Sequence, residues 1–129
     1  MSIRELSKSD YLDLVSVFSE MENYYFGVGA ATKPQIEEYL YNRVFSEYSG
    51  VKVVGYYLES EIVGFATFSI LYPAPKLSGQ MFMKDLFVSS RARGNKVGQK
   101  LMRYIATIAL TRGCVRLDWT AESTNPGAG

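Results

Sequence analysis

From Met81 to Thr120 the spacing of apolar residues changes twice, which limits the chain to folds containing a strand–helix–strand crossover. Met81 to Val88 reads as a strand and runs into a loop with glycines and arginines. Val97, Leu101, Ile105 and Ile108 then recur at spacings of three and four, which predicts a helix from about Asn95 to Thr111. Arg112-Gly113 supplies a basic last turn and a stop, and Cys114 to Thr120 reads as a further strand.

Upstream, Ile3 to Leu6 is expected to open the chain as a short strand. Ser7-x-x-Asp10 has the form of a helix-capping box, and Tyr11, Leu14, Val15, Phe18 and Met21 follow at helical spacing. That helix should fade in Tyr24-Tyr25-Phe26 and end by Gly29. Thr32-x-x-Gln35, with Pro34 in the first turn, predicts a second helix whose buried stripe is Ile36, Leu40 and Val44 and whose stop is Gly50. Val51–Leu58 and Ile62–Leu71 read as a hairpin across a tight Glu59-Ser60-Glu61 connection, with Tyr72-Pro73-Ala74-Pro75 breaking its second strand. The order is β-α-α-β-β-β-α-β, with no internal repeat or linker, so residues 1–129 are expected to form a single α/β domain.

A length of 129 residues can bury a core without disulfides or a structural metal. Histidine is absent and cysteine occurs once, at Cys114. Serine–histidine and cysteine–histidine nucleophilic sites, histidine or multi-cysteine metal sites and imidazole acid–base chemistry are therefore excluded. Catalysis would rest on carboxylates, tyrosines, backbone amides, water or a cofactor. Cys114 has no base beside it in sequence and is expected to be a small buried hydrophobe. No segment approaches the roughly 18 apolar residues of a membrane span. The opening Met1-Ser2-Ile3-Arg4-Glu5 lacks an apolar signal region, so the expectation is a cytoplasmic protein with no membrane partner.

The net charge of +1 conceals an uneven distribution. Between Leu86 and Leu117 there is no acid, yet seven of the 14 basic residues fall there, leaving seven basic against 13 acidic residues elsewhere. One reading is a site for an anionic, phosphate-bearing ligand beside an acidic surface that attracts a cation. The other is a solvated basic helix face. At a helix start, free amides and the helix dipole favour an anion, and glycines let the backbone approach it. The spacing fits neither a Walker loop nor a three-glycine dinucleotide fingerprint. Nucleic-acid binding is not expected, because the acids elsewhere repel phosphate backbones and no aromatic residues interleave with the loop's arginines.

Arg93-Gly94-Asn95-Lys96-Val97-Gly98 resembles the acyl-CoA pyrophosphate loop of the GNAT superfamily of N-acyltransferases, a Gln/Arg-x-x-Gly-x-Gly/Ala pattern. The resemblance extends through Lys84-Asp-Leu-Phe-Val88, Leu101-Met102 and Leu117-Asp-Trp-Thr-Ala-Glu122 to Thr124-Asn125-Pro126. Val63-Gly-Phe-Ala66 and the run into Asp85 are most similar to the diamine and polyamine acetyltransferases of that superfamily. The resemblance implies a mixed central β-sheet flanked by helices, and acetyl-CoA as co-substrate with no metal. It implies that the main chain of Leu86, Phe87 and Val88 holds the pantetheine arm. Arg93, Gly94, Asn95, Lys96, Val97 and Gly98 would hold the pyrophosphate, and Asn125 would contact CoA.

The function so implied is direct transfer of the acetyl group of acetyl-CoA to a primary amine of a small molecule. Asp85 is the leading candidate for the base that takes the amine proton, or else a strand-end acid paired with Lys84 or Arg91. Glu22 and Glu122 are candidates for holding a cationic substrate. Tyr24 and Tyr25 are either substitutes for the acid or packing residues. Three departures stand out. Lys96 replaces the pattern's glycine, which would cost about 1 kcal/mol if the position needs a positive φ but nothing in a helical first turn. Polyamine-acetylating relatives often carry glutamate where Lys84 stands, which argues against polyamines. Relatives also continue past the Asn-Pro segment into a helix bearing the tyrosine that commonly protonates the thiolate, then one or two strands. The domain is thus expected to lack that C-terminal segment, and an exposed sheet edge would favour a homodimer. The alternative is a non-catalytic CoA-binding or interaction module.

Overall fold

Both of the first two helices begin where short polar side chains meet backbone amides. The computed structural model describes residues 2–119. Strand β1, Ser2–Glu5, leads into a single 3-10 turn at Lys8–Asp10 and then helix α1, Tyr11–Phe26. Asp10 accepts from the Ser7 amide at 2.8 Å and takes both Arg4 guanidinium nitrogens at 3.0 and 3.1 Å. Helix α1 persists through the aromatic stretch and stops at Gly27, whose φ of 96° few other residues adopt. At α2, Lys33–Tyr39, the box is reciprocal: Gln35 N donates to Thr32 Oγ1 at 3.2 Å and Thr32 N to Gln35 Oε1 at 2.8 Å. The regular helix ends earlier than Gly50, because Leu40–Val44 widens into a π turn closed by Phe45 N donating to Leu40 O at 2.9 Å.

The remaining strands are β2 (Lys52–Leu58), β3 (Glu61–Ala74), β4 (Ser78–Val88) and β5 (Cys114–Trp119), with α3 (Val97–Thr111) between the last two. They form one sheet in the order β1-β2-β3-β4-β5, antiparallel except for the parallel pair β4–β5. That parallel pair is the crossover the sequence demanded. The element order and the mixed α/β architecture are as expected. Tyr72-Pro73 does not break β3, which runs on to Ala74. Regular pairing lapses between Leu71 and Ala74, so the proline falls where no ladder amide is needed. Strand β4 accordingly starts at Ser78, three residues before the predicted Met81.

Alternation along the strands builds two cores. On the α3 face, Val54, Ala66, Phe68, Met83, Leu101 and Ile105 pack together. On the other, Leu14, Val17, Ile36, Leu40, Phe65 and Phe87 join α1 and α2 to the sheet. Cys114 opens β5 as expected, but it is only half-buried against the first core. No helix among the described residues is long and apolar enough to cross a membrane.

Burial, and then the bond its hydroxyl donates to Asp13 at 2.8 Å, pushes Tyr57 up to about 12. Tyr57 also accepts from Arg4 at 3.1 Å, so one polar knot ties β1, β2 and the base of α1. The bond from Arg4 is the main cause holding the Asp10 carboxyl below its ordinary pKa. A carboxylate depressed by folding stabilises the fold above its unfolded pKa of about 4, and that contribution fades as pH falls through the lower folded value. Asp10→Ala is therefore expected to cost about 1 kcal/mol at neutral pH. In urea titrations the gap from wild type should shrink as pH falls below 4, and a gap constant with pH would show that charge has no part in it.

Candidate active site

Strict alternation from Met81 would place Met83, Asp85 and Phe87 on one face of β4. The register shows otherwise: Phe68 pairs with Met83 but Thr67 with Asp85, so Lys84 is an extra residue bulged out of the ladder. Met81 and Met83 face the α3 core before the bulge, and Leu86 and Val88 face it after. Phe87 falls on the opposite face with Phe65, their ring centroids 6.4 Å apart. The bulge thereby turns Asp85 towards α1 and α2, where it is half-buried.

There the buried Thr67 clamps it. The Thr67 hydroxyl donates to Asp85 Oδ2 at 2.7 Å and accepts from the Asp85 amide at 3.1 Å. Arg91, one of the expected partners of this carboxylate, pairs with Glu61. Asp85, Thr67 and Glu22 line one cavity of about 500 Å³ between the sheet and α1, beside the rings of Phe18, Tyr25 and Phe65. Two expected acids, Glu22 and Asp85, therefore meet in one space. Tyr25 lines it too, whereas Tyr24 packs against Phe87 with centroids 6.2 Å apart.

Beyond Val88 the chain is held at two points. Ser89 N donates to Val63 O, and Ser90 N to the Glu20 carboxylate of α1, both at 2.8 Å. Glu20 was not legible as a site residue, because its partner lies 70 residues away. A 3-10 turn at Ser90–Ala92 follows, and Asn95 Nδ2 donates back to Ala92 O at 3.2 Å. Gly94 has φ 87° and nothing within 4 Å of where a Cβ would stand, so its backbone is open to approach. Lys96 is left-handed, φ 58° and ψ 28°, and forms the cap of α3. The helix consequently starts at Val97, not Asn95. Its first intrahelical bond comes from Lys100 N to Lys96 O at 3.1 Å, which leaves the amides of Val97, Gly98 and Gln99 before it. The first turn holds no acid, and the exposed Arg93 and Lys96 flank it. Formal charge, helix dipole and open backbone all favour an anion here. Leu86, Phe87 and Val88 lead into this loop with their side chains buried in the two cores. Glu122 and Asn125 lie outside the described residues.

Residues 14–128 match the family model described as Acetyltransferase (GNAT) family. The chain belongs to the GNAT acetyltransferases. Among curated relatives it is similar to thialysine N-epsilon-acetyltransferase of Mus musculus, 27% identical over 71 residues that cover 51% of this chain and 41% of that protein. The match thus spans less than half of the relative's length. Among solved structures it is similar to an integron cassette protein from the mobile metagenome of V. cholerae. That likeness has a TM-score of 0.91 and 57% identity, over 99% of this chain and 79% of the other. A ribosomal-protein-alanine N-acetyltransferase from Brucella melitensis shares the fold at TM-score 0.78 and 16% identity, over 92% of this chain and 78% of that one.

Within this GNAT chain the loop's departure from the glycine pattern has a definite conformational cost. Lys96 adopts the positive φ that glycine would take freely, the costlier of the two conformations open to it, at about 1 kcal/mol. Its ammonium adds positive charge beside the helix start in return. Lys96→Gly is expected to raise stability by up to about 1 kcal/mol, less the extra freedom glycine has when unfolded. Affinity for CoA should fall severalfold through the lost charge. Thermal melts with and without CoA check both signs; weaker stability with unchanged affinity would contradict the account.

Proposed function

We propose that the protein transfers the acetyl group of acetyl-CoA directly to a primary amine of a small molecule. The observation that carries this reading is the placement of Asp85. A bulge sends it into the acceptor-sized cavity, three residues before the end of the strand that enters the anion-favouring loop. The donors at that loop fit an anionic cofactor: main-chain amides from Gly94 to Gly98, with Arg93 and Lys96 adding charge and Asn95 bracing the turn. The main chain of Leu86, Phe87 and Val88 would hold the pantetheine arm on its way to Asp85. Acetyl-CoA supplies the activated acetyl group and departs as the thiol.

The chain's own residues do the rest. An amine arrives as an ammonium, attracted by Glu22 and Asp85. Asp85 accepts the proton that must leave nitrogen before it can attack, directly or through one water. The Thr67 hydroxyl fixes the carboxylate's orientation, and the rings of Phe18 and Phe65 stand beside it in the cavity wall. The test is thiol release from acetyl-CoA across a panel of primary amines, with CoA binding followed separately by calorimetry. Release should require an amine, and Arg93→Ala should weaken CoA binding about tenfold, one charge-assisted hydrogen bond's worth. CoA binding without release from any amine would identify a binding module instead.

A further inference from the structure

The cavity at Asp85 also constrains which amine it takes. Most of its wall is apolar: Phe18 stacks on Phe65 with centroids 6.0 Å apart, and Leu14, Met21 and Val53 continue the surface. Its charged groups are two acids, Glu22 and Asp85, and two bases, Arg43 and Lys84. A volume of about 500 Å³ exceeds what a bare methyl- or ethylammonium fills and lies within the usual range for small-molecule sites. An extended polycation would bring three or more ammonium groups against an apolar wall and two resident cations. The third ammonium of such a chain would lose water with no acid left to meet it. A single ammonium carrying an apolar body meets the acids with its head and the aromatic wall with its tail.

We infer that the acceptor is a monoamine bearing a bulky apolar group, such as an arylalkylamine or a longer alkylamine, and not a polyamine. The inference rests on the amine-acetylation reading, yet ligand binding tests it separately from turnover. Calorimetric titration of the full chain, with CoA present, would compare propylamine, hexylamine, 4-phenylbutylamine, putrescine and spermidine. Affinity should climb towards a limit of about fourfold per methylene buried from propyl to hexyl. Phenylbutylamine should bind at least tenfold more tightly than spermidine. Phe18→Ala should flatten the series. Because that ring also packs against the core, Phe26→Ser, at an exposed ring on the cavity's rim, serves as the second variant and should weaken phenylbutylamine more than propylamine. Tighter binding of spermidine, or affinity independent of chain length, overturns the inference. If the apolar series binds in the expected order but none of its members releases thiol, the cavity's ligand preference stands and the acetyl-transfer reading fails.

Discussion

Asp85→Asn is expected to lower kcat/KM for the amine by about 10²- to 10⁴-fold, the usual contribution of a positioned proton acceptor. Asparagine keeps the shape of the side chain and an oxygen that can accept from the Thr67 hydroxyl, which lies 2.7 Å from Asp85 Oδ2. Its backbone amide still reaches Thr67 Oγ1, so the bulge and the cavity wall should survive. The lost property is the capacity to take a proton. Affinity for CoA should change little, since the loop and the start of α3 are untouched. Alkaline pH offers a further readout. As pH approaches the amine's own pKa, near 10 for an alkylammonium such as lysine, more substrate arrives already neutral and the variant's deficit should shrink. Steady-state thiol release across pH measures both effects. A variant within a few-fold of wild type at neutral pH would remove Asp85 from the mechanism.

That site was only half legible in the chain's residues. The strand through Asp85, the loop after it and the helix beyond are local patterns, and each is present, with β4 starting three residues earlier and α3 two residues later than expected. The bulge at Lys84 is not local. It consists of one β4 residue without an opposite number on β3, and the pairing of two strands decides it. Thr67 escaped notice for the same reason, since threonine is an ordinary strand residue until the shifted register sets it against Asp85. Glu22 could be placed on α1 by helical spacing, but its shared cavity with Asp85 depends on how α1 crosses the sheet. Lys96 lies between these cases. The motif marked its position, the residue type left two conformations open, and the junction with α3 selected the strained one. Pro73 shows the converse, a local strand-breaking signal overridden where pairing already lapses.

How α3 is seated gives the second large effect, and Gly64→Val is the substitution that tests it. Gly64 pairs with Val88 at the end of β4, directly beneath the start of the helix. A Cβ there would stand 2.9 Å from Val97 Cγ1, and 3.3 Å from both Leu101 Cδ1 and the Phe87 carbonyl oxygen. The absence of a side chain at Gly64 is what lets Val97 and Leu101 pack onto β3. Valine suits a strand better than glycine by up to about 1 kcal/mol, but overpacking costs about 1–3 kcal/mol and should prevail. The helix start has to lift, and the amides of Val97 and Gly98 move with it relative to β4. Stability should therefore fall, and KM for acetyl-CoA should rise about tenfold or more, the loss of at least one charge-assisted hydrogen bond. Removing the obstructing atom separates this seating effect from general damage. Val97→Ala deletes Cγ1, so Gly64→Val combined with Val97→Ala should lose less than the two single variants together, by about 0.5–3 kcal/mol of coupling. Chemical denaturation of the four proteins measures that coupling, and KM for acetyl-CoA should recover in parallel. Additive losses with no recovery in KM would mean that the loop is placed by its own ties at Ser89 and Ser90, and not by the Gly64–Val97 contact.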